Sequence, residues 1–208
     1  MKLYERLPEA TLTGRPTPLG DMLTADCIIV QELGSNPELR SNQDILEHLD
    51  GVLNVFDEHK ASERLQTLPL FVSGSITKVL RQRVGVETPD APVVYRGHTV
   101  HAFVGASATN SGENLGTYGE LQQFKAHRDQ ARDSDLTSVL EHPLLVTSGY
   151  NAMNIDRQAK LLGITGLIIP PELPRSFDWR SEQLWTKHWA LWVLTSHLRL
   201  HKLRKEGH

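Results

Sequence analysis

Apolar positions along this chain follow two recurring patterns, short β-branched runs and spacings of three and four, and these alternate from residue 26 onward. The run Cys27-Ile28-Ile29-Val30 predicts a strand within Asp26 to Leu33. From Asn42 to His59, the residues Ile45, Leu46, Leu49, Val52, Leu53 and Phe56 recur at helical spacing and predict an amphipathic helix. Leu68 to Val72 is a second short apolar run. Ser75 to Val84 reads as a helix capped by Ser75, with Ile76, Val79 and Leu80 on one side. Two β-rich runs, Val93 to Tyr95 and Thr99 to Val104, flank Arg96-Gly97-His98 and predict a hairpin near 91–104.

Beyond the hairpin, Gly105 to Gly119 holds four glycines among serines, threonines and asparagines and predicts a flexible loop. Glu120 to Arg132 reads as a polar helix, and Leu136 to Val146 as helix or strand. Asn154 to Leu162 reads as a helix stopped by Gly163. Leu167-Ile168-Ile169 predicts a strand that Pro170 and Pro171 end. The first twenty residues contain Pro8, Pro16, Pro18, Gly14 and Gly20, which favour an extended N-terminal arm over 1–20. With no clear βαβ period, the alternation indicates an α+β fold or an irregular α/β sheet. The expected architecture is a single mixed domain over 1–208 with a short sheet, the hairpin and a long C-terminal helix at 180–205.

That last helix carries two apolar stripes. Leu184, Leu191, Leu194 and Leu198 form one, and Trp185, Trp189, Trp192, Val193, Leu200 and Leu203 the other. A helix lying on one core needs a single stripe, so the second calls for another layer or a partner, and Trp185, Trp189 and Trp192 become candidate partner-binding residues. Tryptophans at helical spacing also serve as ordinary core.

Composition excludes several classes. The chain has 208 residues with 39% hydrophobic content, and its most apolar run, Ala190 to Leu194, falls far short of the ~20 residues that a membrane span needs. No apolar segment follows Lys2 and Arg6 as a secretory leader requires. The one cysteine, Cys27, permits neither an internal disulfide nor a cysteine-based zinc cluster, which suits the cytoplasm. Net charge is −3, but from Arg180 onward six Lys/Arg face two Asp/Glu. Arg199, Lys202, Arg204 and Lys205 could meet phosphates, as a nucleic-acid contact, or simply complement the negative end of the helix.

Candidate chemistry is thin. His98 and His101 form His-x-x-His at the hairpin and are the first candidates for a divalent metal, with His197 and His201 at i, i+4 on the final helix as further donors. In a strand, positions 98 and 101 point to opposite faces unless the turn bends between them. Ser75-Ile76-Thr77-Lys78 fits Ser-x-x-Lys, and with Ser148 and Asn151 downstream it weakly resembles serine penicillin-recognising enzymes, whose Lys-Thr-Gly element has no counterpart here. Tyr95-Arg96-Gly97 resembles the arginine motif of some ADP-ribosyltransferases, without the later Glu-x-Glu or Gln-x-Glu pair. No constellation joins a nucleophile, a base and an orienting group, which leaves enzyme status open. The expected function is a binding or assembly subunit of a multi-protein or nucleoprotein complex. It would dock through the C-terminal helix onto a protein partner or a second copy. The alternatives are a metal-dependent hydrolase using His98 and His101 and a nucleic-acid-binding protein.

Overall fold

The computed structural model describes residues 19–31, 40–58, 63–88, 91–103, 116–133, 140–147, 149–167 and 189–205. Residues 1–18 of the expected arm, Val104 of the expected hairpin, 105–115 of the expected glycine loop and 180–188 of the expected last helix, Trp185 included, lie outside the described residues. The chain is an α+β fold built on one five-stranded mixed sheet. Its elements run α1 (Leu19–Met22), β1 (Cys27–Val30), α2 (Arg40–Glu58), a 3-10 turn (Glu63–Gln66), β2 (Leu70–Val72), α3 (Gly74–Arg83), β3 (Val93–Tyr95) and β4 (His98–Ala102). They continue with α4 (Thr117–Asp133), β5 (Pro143–Val146), α5 (Gly149–Leu161) and α6 (Trp189–Lys205).

The strand order is β3-β4-β2-β1-β5. β1 pairs in parallel with both β2 and β5, β2 pairs in parallel with β4, and only β3 runs antiparallel, against β4. Alternation along the strands divides the core into two clusters. Ile28, Val30, Leu70, Val72, Leu144 and Val146 meet Ile45, Leu49, Leu53 and Phe56 of α2 and Ile76 and Leu80 of α3. Cys27, Ile29, Phe71 and Leu145 meet Leu121 and Phe124 of α4 and Ala152, Ile155 and Ala159 of α5. Helices thus cover both faces, which is why β1, β2 and β5 read as unbroken apolar runs and not as alternating ones.

Several boundaries differ from expectation for local reasons. Leu19 and Gly20 open a helical turn and do not extend the arm, and Thr24 closes it through bonds to the Asp21 carbonyl. Ser73, not Ser75, occupies the N-cap of α3. The hairpin turn is Arg96-Gly97 alone, at φ 49° and 89°, while His98 already pairs with Tyr95, so both turn residues take the left-handed conformation that a two-residue hairpin requires. α4 begins at Thr117, earlier than the glycine content of the preceding segment suggested, and buries Tyr118, Leu121, Phe124 and Arg128 despite its polar composition. β5 occupies Pro143–Val146 of the Leu136 to Val146 stretch, of which 136–139 lie outside the described residues. Gly163 ends α5 at φ +67°, as expected, with the Ile164 amide bonded back to the Ala159 carbonyl. Leu167 belongs to no strand, and Ile168 and Ile169 lie outside the described residues.

Candidate functional site at the carboxyl ends of the parallel strands

The four parallel strands end along one edge, and backbone bonds join those ends. The Ser73 amide donates to Val30 O (3.1 Å), the Gln31 amide to Val146 O (3.0 Å) and the Phe103 amide to Val72 O (2.9 Å). From β1 the chain crosses through α2 to β2, on the face that α2 and α3 cover. It returns from β4 through α4, on the other face, to reach β5. The direction of winding therefore reverses between β1 and β5. In open α/β sheets that reversal leaves a crevice outside the strand ends, where ligands bind.

Gln31 and Thr147 stand at this switch point, each following the last residue of its strand and each buried. The Thr147 hydroxyl donates to the Gln31 carbonyl at 3.0 Å. The Gln31 carboxamide reaches the first turn of α4, where its Nε2 donates to Glu120 Oε2 at 3.0 Å and to Thr117 O at 3.4 Å. Two acceptors around one nitrogen fix the orientation of the amide and leave Gln31 Oε1 as its open acceptor. That oxygen is buried and has no hydrogen-bond partner, and the Ser75 hydroxyl in the first turn of α3 shares this condition. A buried polar atom without a partner costs about 1–3 kcal/mol, so each one calls for a reason. Helix α5 begins at Gly149, two residues past Thr147.

Asp26 Oδ1 and Gln158 Oε1 are also buried without a partner, away from this edge. Asp26 Oδ2 takes the Glu141 and His142 amides, which leaves Oδ1 over. Burial, then the Asp26 charge, pushes the Cys27 thiol well above its ordinary range, so it stays protonated and unreactive. Gln158 Oε1 lies within α5.

A second polar cluster, at the hairpin, is closed on itself. Tyr95 donates to Asp50 Oδ1 at 2.6 Å, and Arg83 donates to Asp50 Oδ2 at 3.1 Å and to the Tyr95 hydroxyl at 3.2 Å. Arg96 bonds Asn54 Oδ1 at 2.8 Å and pairs with Asp57. Burial, followed by the bond to Asp50, raises the Tyr95 phenol. Arg96 is thereby committed to the fold.

β4 separates the two histidines proposed as a metal pair. His98 is buried on the α2/α3 face with Nδ1 3.0 Å from Leu68 O. His101 lies on the opposite face, stacked on Phe71 at 5.1 Å between ring centroids, with His127 of α4 also against that ring. Burial lowers the His98 pKa, and burial together with His127 lowers that of His101. Among the described residues no group of three or more His, Cys, Asp or Glu is placed to hold a metal ion. His197 lies 3.5 Å from the Arg157 guanidinium, and both His197 and His201 are exposed. Ser75 is buried while Lys78 is exposed, so the Ser-x-x-Lys pair does not form a catalytic unit.

On α6, Leu203 is buried where the helix packs on α5, whereas Leu194 and Leu198 are 53% and 58% exposed. Lys202, Arg204 and Lys205 are exposed in its last turn, and the side chains of Trp189, Trp192 and Arg199 lie outside the described residues. None of the described helices is long and apolar enough to cross a membrane. Comparison with protein-family models, with curated proteins and with solved structures gives no match.

Gln31, Thr147 and Glu120 were not singled out from the sequence. The signal available was weak: a polar residue directly after each of two apolar runs, Gln31 after Val30 and Thr147 after Val146. It becomes meaningful only once the runs are adjacent parallel strands.

Proposed function

We propose that this protein binds a small polar molecule in the crevice between the ends of β1 and β5. The observation that carries the reading is the buried Gln31 Oε1, held in place by two bonds from its own amide nitrogen yet lacking a donor. A ligand hydroxyl or amine would supply that donor, and the Glu120 carboxylate and Thr147 hydroxyl offer further acceptors beside it. The test is thermal unfolding against a panel of polyols, nucleosides, sugar phosphates and nucleotides. At least one class is expected to raise Tm in the native chain and to lose that effect in Gln31→Leu and Thr147→Val. A hit that both variants retain would place the site elsewhere.

A second reading, a docking module acting through the C-terminal helix, is favoured by one specific observation: Leu194 and Leu198, one turn apart, are both exposed. The three exposed cations of the last turn suit an acidic protein partner or a phosphate backbone. Sedimentation at increasing concentration, comparing the native chain with Leu194→Ser/Leu198→Ser, tests self-association. An anisotropy titration with duplex DNA across salt concentrations tests the nucleic-acid form of the idea.

A further inference from the structure

From the start of α3 we infer a site for a phosphate-type oxyanion, formed by the amides of Gly74, Ser75 and Ile76 and the Ser75 hydroxyl. It rests on the crevice reading, since it assigns the anionic end of the ligand bound there. β2 ends at Val72 and the ten-residue α3 starts at Gly74, so strand and helix meet with a single residue between them. Thr77 secures this junction, its hydroxyl donating to Ser73 O at 3.0 Å and its amide to the same carbonyl at 2.9 Å. That amide is the first in the helix to find an acceptor. The amides of Gly74, Ser75 and Ile76 have none among the described residues.

Such a terminus is usually closed by its own N-cap side chain. Ser73, a residue type suited to that task, holds the N-cap position and makes no side-chain cap bond. The Ser75 hydroxyl is a second, independent sign. It belongs to the first turn of the helix, the residue is only 8% exposed, and its oxygen has no partner. Where a Cβ would stand on Gly74 there is no atom within 4 Å, so a side-chain methyl fits there. Lys78, exposed, follows Gly74 by one turn on the same helix face and contributes positive charge. Unbonded amides, the positive end of a helix and a hydroxyl donor together match the needs of an oxyanion.

The position agrees with the crevice. Ser73 is bonded to Val30, and Gln31 follows Val30 directly, so the α3 terminus adjoins the Gln31 end of the crevice across the β1–β2 boundary. Glu120, the nearest carboxylate named at this edge, belongs to α4 on the other face and is bonded to Gln31. The ligand this arrangement fits has a phosphate at one end and hydroxyl or amine donors at the other, the phosphate on α3 and the donors toward Gln31 Oε1.

The test is a ¹H–¹⁵N titration with inorganic phosphate, with chloride at equal ionic strength as the control. Saturable movement of the Gly74, Ser75 and Ile76 amides is expected, and Ser75→Ala should weaken phosphate about tenfold, the value of one hydrogen bond to a charged group. Gly74→Pro removes one amide donor at a helix position that accepts proline, after a Ser73 whose φ −58° and ψ 150° already suit a following proline, and it should weaken phosphate similarly. Gly74→Ala keeps the donor, adds only a methyl group in open space and should bind phosphate as the native chain does. No saturable movement of these amides, or equal affinity in Gly74→Pro and Ser75→Ala, overturns the site. If a neutral panel compound binds through Gln31 while phosphate leaves residues 74–76 unmoved, the oxyanion assignment falls and the crevice stands. If phosphate moves 74–76 and no panel compound depends on Gln31, the oxyanion site stands without the crevice.

Discussion

Two polar clusters sit on the same sheet and are built to opposite rules. At the hairpin, Asp50, Tyr95, Arg83, Arg96, Asn54 and Asp57 bond to one another and tie α2, α3 and the β3–β4 turn together. At the strand ends, Gln31 and Ser75 are buried with an oxygen left over. The first arrangement offers a ligand nothing, because its donors already have acceptors within the fold. The second carries a free-energy cost that no partner among the described residues offsets, and it is this cost that the proposed ligand would relieve. From the sequence, Ser75 and Arg96 each entered a weak motif, and neither Gln31 nor Asp50 stood out.

Substitutions should separate the two clusters. The largest effect is expected from Asp50→Ala, which leaves the Tyr95 hydroxyl and the Arg83 guanidinium without their shared acceptor. Urea unfolding should show a loss of about 2 kcal/mol, moderated by partial exposure of the pair, with ligand binding at the strand ends unchanged. Gly97→Ala comes next, because Gly97 has φ +89° and an added Cβ would lie 3.0 Å from Gln66 O; about 1 kcal/mol should be lost.

A smaller effect follows pH. The native His98 pKa lies below its ordinary value because burial disfavours the imidazolium, with His101 shifted in the same direction. The stability that depends on neutral His98 is therefore complete above about pH 6.5, the unfolded value, and is lost as pH falls toward the native one. Unfolding at pH 7.5 and 5.5 should show this loss, reduced in His98→Gln. The smallest stability change is expected for Gln31→Leu, less than about 1 kcal/mol, since loss of the bond to Glu120 is offset by relief of the unpartnered oxygen. That substitution should nevertheless abolish ligand binding, the reverse of Asp50→Ala.

Much of the fold was legible because its signals are local. The spacing of Ile45, Leu49, Val52 and Phe56 needs only an amphipathic helix, and Arg96-Gly97 between β-rich runs needs only a turn. Strand adjacency was not legible, because Cys27–Val30, Leu70–Val72 and Pro143–Val146 are each too short to declare their partners. The candidate site inherits that gap. Gln31 and Thr147 lie 116 residues apart in sequence, and the parallel pairing of β1 with β5 alone makes them neighbours. Ser75 was visible as a helix-start residue, but its unpartnered hydroxyl depends on how α3 packs. Two apolar stripes on α6 were read from periodicity, but that Leu194 and Leu198 of one stripe are exposed depends on how the helix packs.

The side-chain amide signals of Gln31 in a ¹H–¹⁵N spectrum, followed as each stabilising compound of the panel is added, are the most direct probe of the strand-end site. A compound that raises Tm should move the Gln31 pair and the Gly149 amide together while the Tyr95 and Arg96 amides stay in place. A stabilising compound that leaves the Gln31 pair unmoved, or that moves the hairpin signals instead, contradicts the assignment of ligand binding to the crevice between β1 and β5.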